Sequence, residues 1–194
     1  MHPFYYLASA VTFVAAQDPT IDAAPNFRIR AAPGYLDRPL SIVQGSNLSF
    51  QYISPCYQPA VFVPNATPAV FYINGTDDEF ASRQATLTTD RDGPPEGVMI
   101  STEADADGRR AVYLGCGEGS PGLQVADWPG TVYYETGTMY VCDSSALGYG
   151  PLGLFWHEHG APTPKDCLGL TLEAWCVDKT GMVHEFERNS TCYR

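Results

Sequence analysis

Six cysteines, Cys56, Cys116, Cys142, Cys167, Cys176 and Cys192, constrain this chain more than any other feature. Their number is even and none stands in a Cys-x-x-Cys pair. Zinc ligation is therefore a poor reading, and a framework of up to three disulfides is the better one. Disulfides persist where the surroundings are oxidising, so the cysteines point outside the cell. The N-terminus agrees. Residues 4–16 form an uncharged, mostly apolar run that ends at Gln17-Asp18-Pro19, with Val14, Ala15 and Ala16 just before it. This is the pattern of a signal peptide over residues 1–16, cleaved after Ala16, although its first residues hold no Lys or Arg. The run is too short for a membrane span, and no later segment is long and apolar enough for one. The polar C-terminus lacks the apolar tail of a lipid-anchor signal. The expected organisation is one extracellular domain over 17–194, with a core over 26–177 and a C-terminal hairpin strand and tail over 178–194.

Four Asn-x-Ser/Thr sequons, at Asn47, Asn65, Asn74 and Asn189, fit glycosylation of an exported protein. The formal charge of −11 lies entirely in residues 17–194. Such a chain repels phosphate backbones, which argues against nucleic acid as a partner. The same charge favours a soluble monomer. Charged residues are only 17% of the chain and aromatic residues 12%, the balance of a folded domain.

The chain reads as short strands separated by turns. Its 18 Gly and 16 Pro leave little room for long helices. Phe27-Arg28-Ile29-Arg30-Ala31 and Leu48-Ser49-Phe50-Gln51-Tyr52 alternate apolar and polar residues. Residues 69–73 are continuously apolar, as in a strand covered on both faces. Further strands are expected over 98–102, 111–114, 123–126, 131–135, 138–142, 152–158, 168–177 and 182–187. Asp107-Gly108, Glu135-Thr136-Gly137 and Asp178-Lys179-Thr180-Gly181 read as hairpin turns. Only residues 77–84 have the makings of a helix. The expected fold is all-β, an antiparallel sandwich or barrel-like domain stapled by disulfides.

Three groups of residues carry a family resemblance. They are Phe27-x-Ile29-x-Ala31, Phe71-Tyr72-x-Asn74-Gly75-Thr76 with Cys116-Gly117-x-Gly119, and Thr163-Pro164-x-x-Cys167-x-x-Leu170-x-Leu172-x-x-x-Cys176. On these the chain resembles a family of small secreted ascomycete proteins with no assigned activity, from about Phe27 to Val177. The resemblance implies a fungal source and an exported all-β domain. It brings no catalytic residues with it.

Among the possible disulfide pairings, the preferred set is Cys116–Cys142, Cys167–Cys176 and Cys56–Cys192. One straight strand from Cys167 to Cys176 would hold its ends about 30 Å apart, whereas a bridge needs Cα atoms within about 7 Å. That pair therefore requires a bend, with Gly169 the natural place. A rival register, with a hairpin placing Val177 opposite Met182, would set Cys167 opposite Cys192.

No catalytic motif stands out. Trp156-His157-Glu158-His159 would put two imidazoles on one face of a strand, with His184 or Glu185 as a third metal ligand. Two ligands do not close a zinc site, and a solvated strand end is the stronger reading. The segment is not His-Glu-x-x-His, and no Gly-x-Ser-x-Gly occurs. Gly117 to Gly122 reads as a tight turn. Asp90-x-Asp92-Gly93 and Asp105-x-Asp107-Gly108 are fragments of calcium loops that lack the remaining ligands. Glu135 and Glu173 lie on expected strands, where a glycosidase would carry its carboxylate pair. Tyr133, Tyr134, Trp128 and Tyr149 stand near glycines, where rings can stack on sugars. No cofactor is implied. The leading reading is a secreted, non-catalytic protein acting at a cell wall or on a host extracellular protein, effector-like. The alternative is a small carbohydrate-active hydrolase using two strand carboxylates.

Overall fold

Backbone amides of a β-rich chain must find partners on neighbouring strands, and here they do so in one curled sheet. The computed structural model describes residues 20–32, 46–63, 66–90, 94–126, 130–143, 152–178 and 187–194. The first half contributes β1 (Ile21–Ala24), β2 (Phe27–Ala31), β3 (Leu48–Phe50), β4 (Gln58–Phe62), β5 (Phe71–Asn74), the helix α1 (Asp77–Ala81), β6 (Thr86–Thr89), β7 (Glu96–Ile100) and β8 (Arg110–Cys116). The second half contributes β9 (Leu123–Val125), β10 (Thr131–Tyr134), β11 (Gly137–Asp143), β12 (Leu152–Glu158), β13 (Cys167–Gly169), β14 (Leu172–Cys176), β15 (Glu187–Arg188) and β16 (Ser190–Tyr193). The sheet runs β1-β16-β14-β2-β5-β6-β7-β8-β4-β12-β11-β13, with β3, β9, β10 and β15 flanking it. The paired strands are antiparallel except β14 and β16, which meet in parallel at Trp175 and Tyr193. The all-β, disulfide-stapled class read from the sequence is the class observed.

Alternation decides which face is inside. Phe27, Ile29 and Ala31 are buried, Arg28 is exposed and Arg30 is half-buried. Phe27 stacks on Phe71 of β5, with ring centroids 6.4 Å apart. Leu87, Leu114, Leu154 and Leu172 fill the same core. Each such side chain contributes roughly 1.5–3 kcal/mol by leaving water. β4 is buried at all five positions because β3, β8 and β12 pair with it.

The expected helix is present and short. Thr76 caps α1: its Oγ1 accepts from the Glu79 amide at 3.3 Å, and the Glu79 carboxylate accepts from the Thr76 amide at 2.6 Å. This reciprocal box satisfies two amides that a helix start leaves free. The helix closes with the Arg83 amide donating to the Phe80 carbonyl and the Gln84 amide to the Glu79 carbonyl, at 3.2 and 2.7 Å. That closure needs a left-handed residue, and Arg83 takes the position with φ +56°.

Three expectations are corrected. The disulfides are Cys56–Cys116, Cys142–Cys167 and Cys176–Cys192. None of the preferred pairs, Cys116–Cys142, Cys167–Cys176 or Cys56–Cys192, forms, and neither does Cys167–Cys192. Each cysteine pairs with the next one along the chain, and each bridge joins neighbouring parts of the sheet. Cys142 faces Cys167 across β11 and β13, Cα to Cα 4.4 Å. The register that sets Gln58 opposite Leu114 brings Cys56 to Cys116. Cys167 stands at one end of the sheet, while Cys192 stands next to the other end.

The second correction concerns Glu135 to Gly137. This turn is a corner between two parts of the sheet. β10 pairs with β9 and β14, whereas β11 pairs with β12 and β13. Tyr134, edge-on to Trp156 at 5.5 Å, fills the corner. The third correction concerns the expected strand over 168–177. It breaks after Gly169, so that β13 and β14 lie near opposite ends of the sheet, and β16 meets β14 in parallel instead of as a hairpin return. The leader over 1–16, Asn65, Asp92, Gly93, Trp128, Tyr149, His184, Glu185 and the turn residues 179–181 lie outside the described residues.

Candidate functional site

The candidates read from the sequence do not converge. His157 contacts the Glu158 carbonyl through Nδ1 at 2.9 Å and the Thr163 hydroxyl through Nε2 at 3.3 Å. His159 lies past the end of β12, in the turn, with Nε2 2.9 Å from the Glu135 carbonyl. Among the described residues no three His, Cys, Asp or Glu side chains gather as a metal site would require. Asp105 and Asp107 both hold Arg109, at 2.8 and 2.7 Å, so a guanidinium stands where a calcium loop would hold its ion. Glu135 pairs with Arg83 at 2.5 Å, and the Glu173 carboxylate accepts from the Trp175 indole at 3.2 Å. The Gly-rich turn is structural. A Cβ on Gly97 would fall 2.0 Å from the Gly119 amide nitrogen, so these two backbones approach as only glycine permits.

A pocket of about 220 Å³ lies beside α1 instead. The sequence builds it from four directions. β5 supplies Ile73 and α1 supplies Phe80. The end of α1 places Arg83. β9 and β10 pair antiparallel with Gln124 directly opposite Tyr133, so both side chains share one face. The segment from Asn189 to Thr191 closes the remaining side.

Two local features of this pocket depart from what stability alone would favour. Gln124 Nε2 is buried and has no hydrogen-bond partner among the described residues. A buried donor left so costs about 1–3 kcal/mol. Arg83 occupies a left-handed position where glycine is the usual residue. For an L-residue with a β-carbon that conformation costs roughly 1–2 kcal/mol. Outlying backbone and orphaned polar groups cluster at binding sites.

Among the described residues, Tyr133 is the member of the expected aromatic set that lines this pocket. Tyr134 packs into the corner against Trp156. Trp175, not singled out from sequence, packs against Tyr193 with tilted rings 5.6 Å apart and carries the Arg30 guanidinium 4.5 Å over its ring. A second pocket, of about 160 Å³, lies beside the Arg109 ion pairs. Sequence reasoning missed Gln124 and Arg83. A polar residue on a strand reads as solvent-facing, and nothing in the local sequence marks Arg83 as left-handed. Of the described sequons, Asn189 is exposed, while Asn47 and Asn74 are half-buried.

Together these features define a disulfide-stapled, all-β domain with a small polar pocket walled partly by its C-terminal strand. The chain belongs to the family described as a domain of unknown function, DUF7907, whose model matches residues 25–176. No curated protein and no solved structure matches the chain. β1 and β16 both lie outside the matched residues, and they pair with each other from Ile21–Tyr193 to Ala24–Ser190. The Cys176–Cys192 bridge ties this addition to the family domain. One wall of the pocket therefore comes from outside the family segment.

Proposed function

We propose that the chain is an exported, non-catalytic binding protein whose pocket takes a single sugar residue bearing hydroxyl or acetamido groups. The observation that carries this reading is the unpartnered Gln124 amide on the pocket wall. That nitrogen is closed to solvent, so a turn of the Gln124 side chain towards the pocket accompanies binding, and a ligand oxygen accepting from the turned amide would recover the desolvation of the buried one. Tyr133 offers a ring and a hydroxyl beside it. Ser190 and Thr191 line the same pocket. Arg83 is neutralised by Glu135, which favours a neutral ligand over an anion. The volume lies below the range of about 300–1,000 Å³ for drug-sized ligands, which fits one ring better than an extended chain.

Export is supported by the leader-like residues 1–16, the sequons and the three disulfides. No helix among the described residues is long and apolar enough to cross a membrane. The resemblance to small secreted ascomycete proteins supports a fungal wall or a host surface as the setting, and the pocket favours a glycan there over a host protein. The hydrolase alternative receives less support, because Glu135 and Glu173 are each committed to a partner. The test is titration of N-acetylglucosamine and its short oligomers into protein made in a bacterial periplasm, which forms disulfides and adds no N-glycans. Saturable binding that Gln124→Ala weakens at least tenfold is expected. Unweakened binding, or none, contradicts the proposal.

A further inference from the structure

Asn189 heads an Asn-Ser-Thr sequon, is exposed, and lines the same pocket as Gln124 and Tyr133. A sugar attached there would begin at the pocket rim. We infer that Asn189 is glycosylated and that the first sugar of its own glycan seats in the pocket, so the modification closes the site to outside ligands.

The chemistry is simple to balance. Asn189 Nδ2 bonds to C1 of the first N-acetylglucosamine and loses one proton. The lipid-linked diphosphate of the donor departs as the leaving group. The acetamido carbonyl of that sugar is an acceptor, which is what the Gln124 amide lacks. The sugar's apolar face meets Tyr133. Because the sugar is covalently tethered, it competes at an effective concentration on the order of millimolar. A free monosaccharide that binds weakly cannot displace it.

Among the described sequons this placement belongs to Asn189. Asn74 also neighbours this region, since its strand pairs with β15. It is half-buried, however, and the Thr76 of its sequon is engaged as the helix cap. Asn189 follows β15 and precedes β16, the segment that supplies one wall. Glycosylation at this point would separate two forms of one protein, one with its pocket filled and one with it open.

The inference rests partly on the sugar-binding reading, so its test has two arms. The full chain is produced in a glycosylating secretory host and mapped by mass. A glycan at Asn189 is expected, and an unmodified Asn189 would overturn the inference. The first arm follows enzymatic release of the Asn189 glycan from native protein. Gln124→Ala should speed that release at least threefold and leave release from other sequons unchanged. An unchanged rate at Asn189 overturns the inference whatever free sugars do. The second arm compares free N-acetylglucosamine binding to the glycosylated chain and to the same unaltered chain made in a bacterial periplasm, which adds no N-glycans. At least tenfold tighter binding to the unglycosylated chain is expected. Equal, measurable binding to both forms overturns the gate while leaving the sugar-binding reading intact. Loss of binding in both, with release still sensitive to Gln124→Ala, removes the outside ligand and retains the internal one.

Discussion

Arg83 holds the carboxylate of Glu135 at 2.5 Å from a backbone position, φ +56°, that glycine would occupy without strain. This links the end of α1 to the corner that separates β10 from β11. Both side chains are largely exposed, so the ion pair itself contributes well under about 1 kcal/mol. The arginine is thus not explained by stability. Arg83→Gly should leave the melting temperature unchanged or raise it. Arg83→Ala, which keeps the strain and loses the ion pair, should melt about 2–4 °C below Arg83→Gly. Both should weaken sugar binding. Thermal unfolding of the two variants side by side checks this, and an Ala variant more stable than the Gly variant would contradict it.

Gln124→Ala removes a buried donor that has no partner. A side chain held only for folding should cost stability when truncated, whereas an unpaired one should not. Equilibrium unfolding in urea is expected to show a midpoint equal to or above that of the unaltered chain. A loss of about 2 kcal/mol or more would mean that the amide is satisfied in the folded protein.

The Cys56–Cys116 bridge has both halves exposed, whereas Cys142 and Cys192 are buried. Thiolate attack needs access, so graded reduction should open Cys56–Cys116 first. Alkylation and peptide mapping at each step read the order. Losing that bridge should destabilise the fold by about 2–4 kcal/mol. A non-reduced peptide joining Cys116 to Cys142 would contradict the strand order itself.

Two titrations bracket the pH range of stability. Hydrogen bonds from the Thr76 amide and hydroxyl hold the Glu79 carboxyl below its ordinary value of 4.5. A lowered folded-state pKa adds stability that is present above the unfolded value and lost as pH falls through the folded one. Glu79→Gln should therefore flatten the acid limb of stability against pH. At the other end, burial, with Asp105 nearby, pushes the Tyr140 hydroxyl up to about 12, against the opposing pull of Arg109. Its contribution is intact below about 10 and is lost as pH rises from there towards the folded value. Tyr140→Phe should flatten the alkaline limb. Denaturant titrations across both ranges measure the slopes, and a slope unaltered by the substitution would remove that residue from the account.

Much of the sheet was legible because apolar residues alternate or run on, as in β2, β11 and β12. β4 was missed because Pro59, between Pro55 and Pro64, reads as a breaker. Yet Pro59 is tolerated and its carbonyl accepts from the Gln51 amide at 3.0 Å. β6 was missed because Thr86-Leu87-Thr88-Thr89 has one aliphatic residue, although Thr89 is fully buried with its hydroxyl donating to the Val70 carbonyl at 2.6 Å. Disulfide partners were out of reach for a different reason. Cys142 meets Cys167 only because β11 lies between β12 and β13, and that order is set by the whole sheet. The pocket was hidden likewise, since Gln124 and Asn189 stand 65 residues apart in the chain (189 − 124) and meet only in the fold.

The most direct test of the central claim is calorimetric titration of N-acetylglucosamine oligomers into unglycosylated full-length chain, paired with mass analysis of the sugars afterwards. Saturable binding is expected, weakened at least tenfold by Gln124→Ala, with every oligomer recovered intact. Shortened oligomers whose formation stops with Glu135→Gln or Glu173→Gln would contradict it and make the chain a hydrolase.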